Sequence, residues 1–124
     1  MTKWFGLGLA GACGTLARYV LGGWIHQLLG ANFPFGTFVV NVTGCLAVGF
    51  LGTLADEKFL LNSQLRLLLM LGFLGAFTTF SSFAYETWTM LQDGELWFAT
   101  LNIFGSVLAC FLGLVIGVFT ARLL

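Results

Sequence analysis

Charged residues are scarce in this chain, 8% of its 124 residues, against about 25% in an ordinary soluble domain. So few charges cannot cover a water-facing surface, which excludes a conventional soluble domain. The bases are also scattered: Lys3, Arg18, Lys58, Arg66 and Arg122 form no cluster and the formal net charge is zero. That excludes a nucleic-acid surface, which needs grouped Lys and Arg. Histidine occurs once, as His26 near the end of the first apolar run. No Ser, His and Asp set, carboxylate pair or Cys/His ligand spacing is present, so catalysis has no support. Cysteine is odd in number, and Cys13, Cys45 and Cys110 all fall inside apolar segments. They read as small packing residues, not as a disulfide framework or a metal site. A polar cleavage region is missing too. The apolar stretch after Lys3 continues past "AGAC", so it reads as a membrane helix and not as a removed signal peptide.

What is abundant is apolar length. Hydrophobic residues make up 59% of the chain and mean hydropathy is +0.99. Four blocks stand out, from about Trp4 to Leu29, Phe35 to Ala55, Leu65 to Leu91 and Leu96 to Ala121. Each reaches the roughly 20 residues that a helix needs to cross the hydrocarbon core. The connectors "GANFP", "DEKFLLNS" and "QDGE" are short. Residues 1–124 therefore form one all-α, multi-pass unit in a lipid bilayer. An even number of spans puts both termini and the second connector on one side, with Lys3, Lys58, Arg66 and Arg122. The positive-inside rule assigns that side to the cytoplasm. Gly105, Ala109, Gly113 and Gly117 recur every fourth residue in span four. Such a small-residue stripe lets helix backbones approach closely, either within the subunit or between subunits of an oligomer.

Polar residues inside the spans are costly unless paired, and they usually face the bundle interior or a watery path. Span two carries Thr37, Asn41 and Cys45 at helical spacing. Span three carries Thr78, Thr79, Ser81, Ser82 and Glu86 within "GAFTTFSSFAYE", and span four carries Asn102 and Ser106. Interhelical hydrogen bonding, at about 1 kcal/mol a bond, is the ordinary role of a lone Ser or Thr. A set spread over three helices of so small a protein favours a pathway. Arg18 lies well inside span one, where a guanidinium costs at least ~2.5 kcal/mol at the helix centre. It requires carbonyls, a carboxylate or water, with bonding to carbonyls at an interface as the expectation and snorkelling to the near surface as the alternative.

These residues become specific in "GTFVVN" at Gly36–Asn41 and "GFLGAFTTFSSFAYE" at Gly72–Glu86. With Arg18 in "LARYVLG" and the Gly105–Ser106 pair, they resemble the Fluc (CrcB-type) fluoride channel family along the whole chain. The resemblance implies an antiparallel, dual-topology dimer of four-helix subunits, with a break in the third helix and two fluoride pathways. It implies a central structural Na+ held by backbone carbonyls, which fall on Gly75 and Thr78 here. It places the pore asparagine at Asn41, the paired pore phenylalanines at Phe80 and Phe83, and a polar track at Ser106 and Asn102. Two positions depart from the commoner TTFSTFS pattern: Ser82 keeps a hydroxyl and Ala84 loses one.

Physical chemistry agrees with that assignment. Fluoride is small and strongly hydrated, so a pore must offer hydrogen-bond donors such as the Asn41 amide and the Thr79, Ser81 and Ser106 hydroxyls. Thr37 extends the same polar face. Conduction needs weak, multiple sites, and the positive edges of Phe80 and Phe83 favour an anion without trapping it. Glu86 is an odd companion for an anion, and two places are open to it: the pore mouth, where it meets ions, or a water-filled vestibule. The function that follows is passive, fluoride-selective export across the plasma membrane, relieving fluoride toxicity. The alternative is a proton-coupled small-molecule exporter of the small multidrug resistance type. That type relies on a carboxylate in the first span, and this first span has none. The one-sided base distribution sits awkwardly with dual topology, so the dimer is either a homodimer or a pair with an oppositely biased second chain.

Overall fold

The computed structural model describes residues 2–124. Helices α1 (Thr2–Leu29), α2 (Phe35–Asp56) and α6 (Leu96–Arg122) are continuous spans. The third span, Ser63–Gln92, is assembled from pieces. It opens as α3 (Ser63–Arg66), widens into a π-helical segment (Leu67–Leu74) and tightens into a single turn, α4 (Gly75–Phe77). After two extended residues it restarts as α5 (Phe80–Gln92). All four spans are long and apolar enough to cross a membrane.

The helix ends follow from local chemistry. Gly30 ends α1 at φ +82°, a left-handed conformation that costs glycine nothing. Pro34, the sole proline, stands just before α2, where its missing N–H is no loss. Asn62 caps α3, its Oδ1 accepting from the Leu65 N–H at 2.8 Å. Gly94, at φ +76°, turns the chain from α5 into α6.

Helices α2 and α6 form the closest pair. The two backbones meet at Gly49, Gly113 and Gly117, where an added Cβ would collide with the Leu114, Val42 and Leu46 carbonyls of the facing helix. The lower half of the span-four stripe therefore packs the subunit itself, while Gly105 meets nothing beyond its own helix. Val40, Leu74 and Phe77 form the central core, with Ala17, Leu21, Ala47 and Phe73 around them. A second cluster of Phe33, Met90 and Ala99 closes the end near the first and third connectors.

At the opposite end, charged residues join the C-terminus to the second connector and brace the connector itself. Arg66 pairs with Asp56 and Arg122 with Glu57, both at 2.5 Å. Lys58 Nζ donates to the Arg122 carbonyl at 3.4 Å. Thr2 and Lys3 lie beside Ser63 and Gln64 at the same end, so the two termini and the second connector share one end, as an even number of spans requires. Glu57 is exposed, and its hydrogen bonds to the Arg122 guanidinium hold the carboxyl below the usual carboxylate range.

Candidate functional site

The site is organised by the break at Thr78 and Thr79. Both are extended, with φ and ψ of −80° and 156° for Thr78 and −149° and 113° for Thr79. A broken helix strands backbone groups that the membrane cannot solvate, and the surrounding residues satisfy some of them. Asn41 of α2 pairs with Thr79 through both ends of its amide. Its Nδ2 donates to the Thr79 carbonyl at 3.0 Å, and the Thr79 N–H donates to Oδ1 at 2.8 Å. This side chain does for the break what a neighbouring strand does in a sheet. The pairing also fixes which way the amide points, and leaves one Nδ2 hydrogen for another partner.

The hydroxyls divide the remaining work. Thr78 Oγ1 donates back to the Leu74 carbonyl at 3.0 Å. Thr79 caps α5: its Oγ1 accepts from the Ser82 N–H at 3.2 Å and donates to Ser82 Oγ at 3.0 Å. Ser81 Oγ sits 3.3 Å from the same oxygen. The polar cluster in this apolar span is, first of all, the joinery of a helix restart. Close approach across the break depends on Gly44 of α2, since a Cβ there would run into the Thr78 methyl.

Two cavities flank the break, and Thr79 lines both. The larger, about 520 Å³, lies between α1, α2 and α5 and is bordered by Arg18, His26, Thr37, Ser82 and Glu86. Thr37 Oγ1 donates to Glu86 Oε1 at 2.6 Å, while Glu86 Oε2 is buried with no partner among the described residues. Arg18 makes no hydrogen bond among the described residues; the expected carbonyl partners are not supplied by its own subunit. It instead shares this cavity with the Glu86 carboxylate, a residue two spans away in sequence.

The second cavity, about 300 Å³, is lined by Asn41, Thr78, Thr79, Phe80, Phe83 and Ser106, with Cys45 and Cys110 beside them. The Phe80 and Phe83 rings are tilted by 43° with centroids 5.3 Å apart. Phe80 is 78% exposed, so it presents its ring to whatever fills the cavity and not to the core. Ala84 is exposed and lines neither cavity.

Three of the expected pathway residues are placed differently. Ser81 lines neither cavity, and Thr37 belongs to the larger one. Asn102 is 1% exposed and forms the middle of a buried chain of hydrogen bonds. Ser106 Oγ donates to Asn102 Oδ1 at 3.0 Å, and Asn102 Nδ2 donates to Thr87 Oγ1 at 2.9 Å. Thr87 Oγ1 then donates to the Phe83 carbonyl at 2.7 Å. The Ser106 proton is thereby turned away from the cavity. Thr87 escaped the sequence reading, although a buried Asn102 demands a partner and Thr87 follows Phe83 by one helical turn.

The break also sorts charge. Among the described residues, no hydrogen bond reaches the carbonyl oxygens of Gly75 or Thr78, and Gly75 is exposed on the surface of the subunit. Oxygen donors of this kind suit a hard cation, so the residues present fit the expected Na+. On the other side of the break, α5 begins with N–H groups directed back along its axis. Those of Phe80 and Ser81 have no partner among the described residues. A helix start of this kind favours an anion.

The sequence has clear relatives among known proteins. The family model described as "CrcB-like protein, Camphor Resistance (CrcB)" matches residues 5–118. A protein of Geotalea daltonii named fluoride-specific ion channel FluC is 44% identical over 116 residues, covering 94% of each chain. The protein of that name from Geobacter sulfurreducens is 44% identical over 122 residues, 98% of each. That from Acidobacterium capsulatum is 46% identical over 120 residues, covering 93% of this chain and 95% of its own.

Proposed function

The chain belongs to the CrcB-like family, and we propose that it is a fluoride-selective ion channel giving passive fluoride export across the plasma membrane. Its work is conduction, not catalysis. In that setting neutral HF enters the cell and dissociates, and the trapped ion leaves through the channel, so toxicity falls.

The second cavity is the observation that carries this reading. Asn41, Phe80, Phe83 and Ser106 line it together with Thr78 and Thr79 of the break, and no Lys, Arg or His side chain is among its lining residues. Donors of this strength can replace part of fluoride's water shell, and the lack of a full positive charge lets the ion leave. The larger cavity, with Arg18 and Glu86, serves as the aqueous vestibule. The small multidrug resistance type has no comparable support, because α1 holds no carboxylate.

The working unit is an antiparallel, dual-topology homodimer. The exposed Gly75 and the unpaired carbonyls at membrane depth support this, since such groups need cover from protein or an ion. The carbonyls of Gly75 and Thr78 would hold a structural Na+, which supplies positive charge to oxygens that the fold leaves without donors. Arg18 then lies at or near the subunit interface.

The deciding experiment uses purified protein in liposomes, with fluoride and chloride efflux followed by electrodes. Fast fluoride release without chloride release is the expected outcome. Absence of fluoride flux from folded protein refutes the channel reading. Cross-linking in the bilayer, with C-terminal reporters for each membrane side, tests the dimer: one species, tagged on both sides, is expected.

A further inference from the structure

Ser106 lines the second cavity, yet a hydroxyl has one hydrogen to give, and this one is committed inside the subunit. The direction of the bonds is fixed from the far end. The Phe83 carbonyl can only accept, and the Thr87 hydroxyl donates to it at 2.7 Å. Thr87 Oγ1 then has lone pairs left, and Asn102 Nδ2 donates to it at 2.9 Å. With its nitrogen so placed, Asn102 turns Oδ1 to Ser106, which donates to it at 3.0 Å. Thr87, Asn102 and Ser106 are all buried, so water has little access to compete for these bonds.

Lone pairs are what the Ser106 oxygen has left for the cavity. They accept from a donor such as water and repel an anion. The two threonines on the same wall are set likewise, with Thr78 donating to the Leu74 carbonyl and Thr79 to Ser82 Oγ. Asn41 differs, keeping one Nδ2 hydrogen after its two bonds to Thr79. The threonines are held by the break itself, whereas Ser106 is held by Asn102. Among the described residues Asn102 Oδ1 has no other donor. Turning the Ser106 hydrogen towards an ion would therefore strand a buried acceptor, which is unfavourable.

We propose that Asn102 is a positioning residue that sets the polarity of the second cavity. By holding the Ser106 hydrogen it keeps Ser106 an acceptor, so that fluoride is not gripped at this wall and leaves it quickly. The proposal rests on reading this cavity as the fluoride pathway. It assigns Asn102 a part in how weakly the ion is held, a condition for conduction, without contact between Asn102 and the ion.

The test measures initial fluoride efflux from liposomes against fluoride concentration, with melting in detergent on the same full-length preparations. Ser106→Ala should leave the half-saturating fluoride concentration unchanged, because the ion loses no donor. Asn102→Leu should lower it about tenfold, the effect of one added hydrogen bond to a charged group. In that variant the freed hydroxyl has only backbone carbonyls of its own helix to leave, and these keep their helical N–H partners. The maximal rate should fall as well, since a tighter site releases its ion more slowly. Adding Ser106→Ala to Asn102→Leu should bring the half-saturation back to the parent value. A purely structural Asn102 would lower melting and leave the half-saturation where it was, which would overturn the proposal. A higher half-saturation in Ser106→Ala would also overturn it, because Ser106 would then be a donor to the ion. That single variant decides the matter if Asn102→Leu does not fold. Absence of fluoride efflux from the parent would overturn the channel reading and this proposal together, and the parent alone reveals that case.

Discussion

Asn41 offers the sharpest test of how the break is held. Replacing it with Ala removes both hydrogen bonds to Thr79 and leaves a backbone N–H and a carbonyl without partners. Each stranded group costs about 1–3 kcal/mol, so the loss is about 2–6 kcal/mol, at the lower end where cavity water reaches Thr79. Asn41→Asp is the more discriminating change, since it keeps the shape and the Oδ1 acceptor. At neutral pH its second oxygen would face the Thr79 carbonyl, replacing an attraction by a repulsion. Thermal melting in detergent and fluoride efflux from liposomes should be measured on the same preparations. With Asn41 as a clamp, both variants lose stability and flux together. If it were only a donor to the passing ion, flux would fall and melting would be unchanged. Melting of both variants at the parent temperature would refute the clamp.

Phe80→Ile should abolish fluoride efflux while leaving melting within about 0.5 kcal/mol of the parent, as expected of an exposed position; retained flux would remove Phe80 from the pathway. Thr87→Val strands the buried Asn102 amide, so a loss of about 1–3 kcal/mol is expected, with slower efflux through a displaced Phe83. Gly44→Ala sets a methyl against Thr78 and should cost about 1–3 kcal/mol of overpacking; a neutral result would mean the break relaxes freely. The Glu57 carboxyl is held low by its bonds to Arg122. Its stabilisation is therefore complete above the unfolded carboxylate pKa near ~4.3 and is lost as pH falls through the lower folded value. The melting difference between parent and Glu57→Gln should be present at neutral pH and vanish only in acid.

The four spans were legible because the membrane imposes a length and a composition, and their ends fall within a few residues of the hydropathy limits. The break was legible only through the residues it shares with a known family; composition alone shows an unbroken apolar span. The π-helical segment Leu67–Leu74 left no signal at all, because "LLLMLGFL" satisfies any helical winding equally well. Among the site residues, sequence could name Asn41, Thr79, Phe80 and Phe83 but not divide their labour. An amide reads as an ion ligand and as a backbone partner with equal ease, and only the position of Thr79 decides between them. Asn102 shows a similar ambiguity settled by side chains, since Ser106 and Thr87 hold its amide away from the cavity.

What the break achieves is a separation of opposite polarities over two residues. The segment ending at Phe77 leaves carbonyls on an exposed face of the subunit, and α5 starts with N–H groups beside the ring pair. An intact helix would have cancelled both by pairing one with the other. Asn41 and the Thr79 cap satisfy the groups between them, so the two sets stay apart instead of collapsing together. Gly44 supplies the clearance that lets the extended strand lie against α2. On this account the hydroxyls of "TTFSS" first hold the chain open. The placement of Phe80 and Phe83 beside the second cavity is a consequence of where α5 is made to begin.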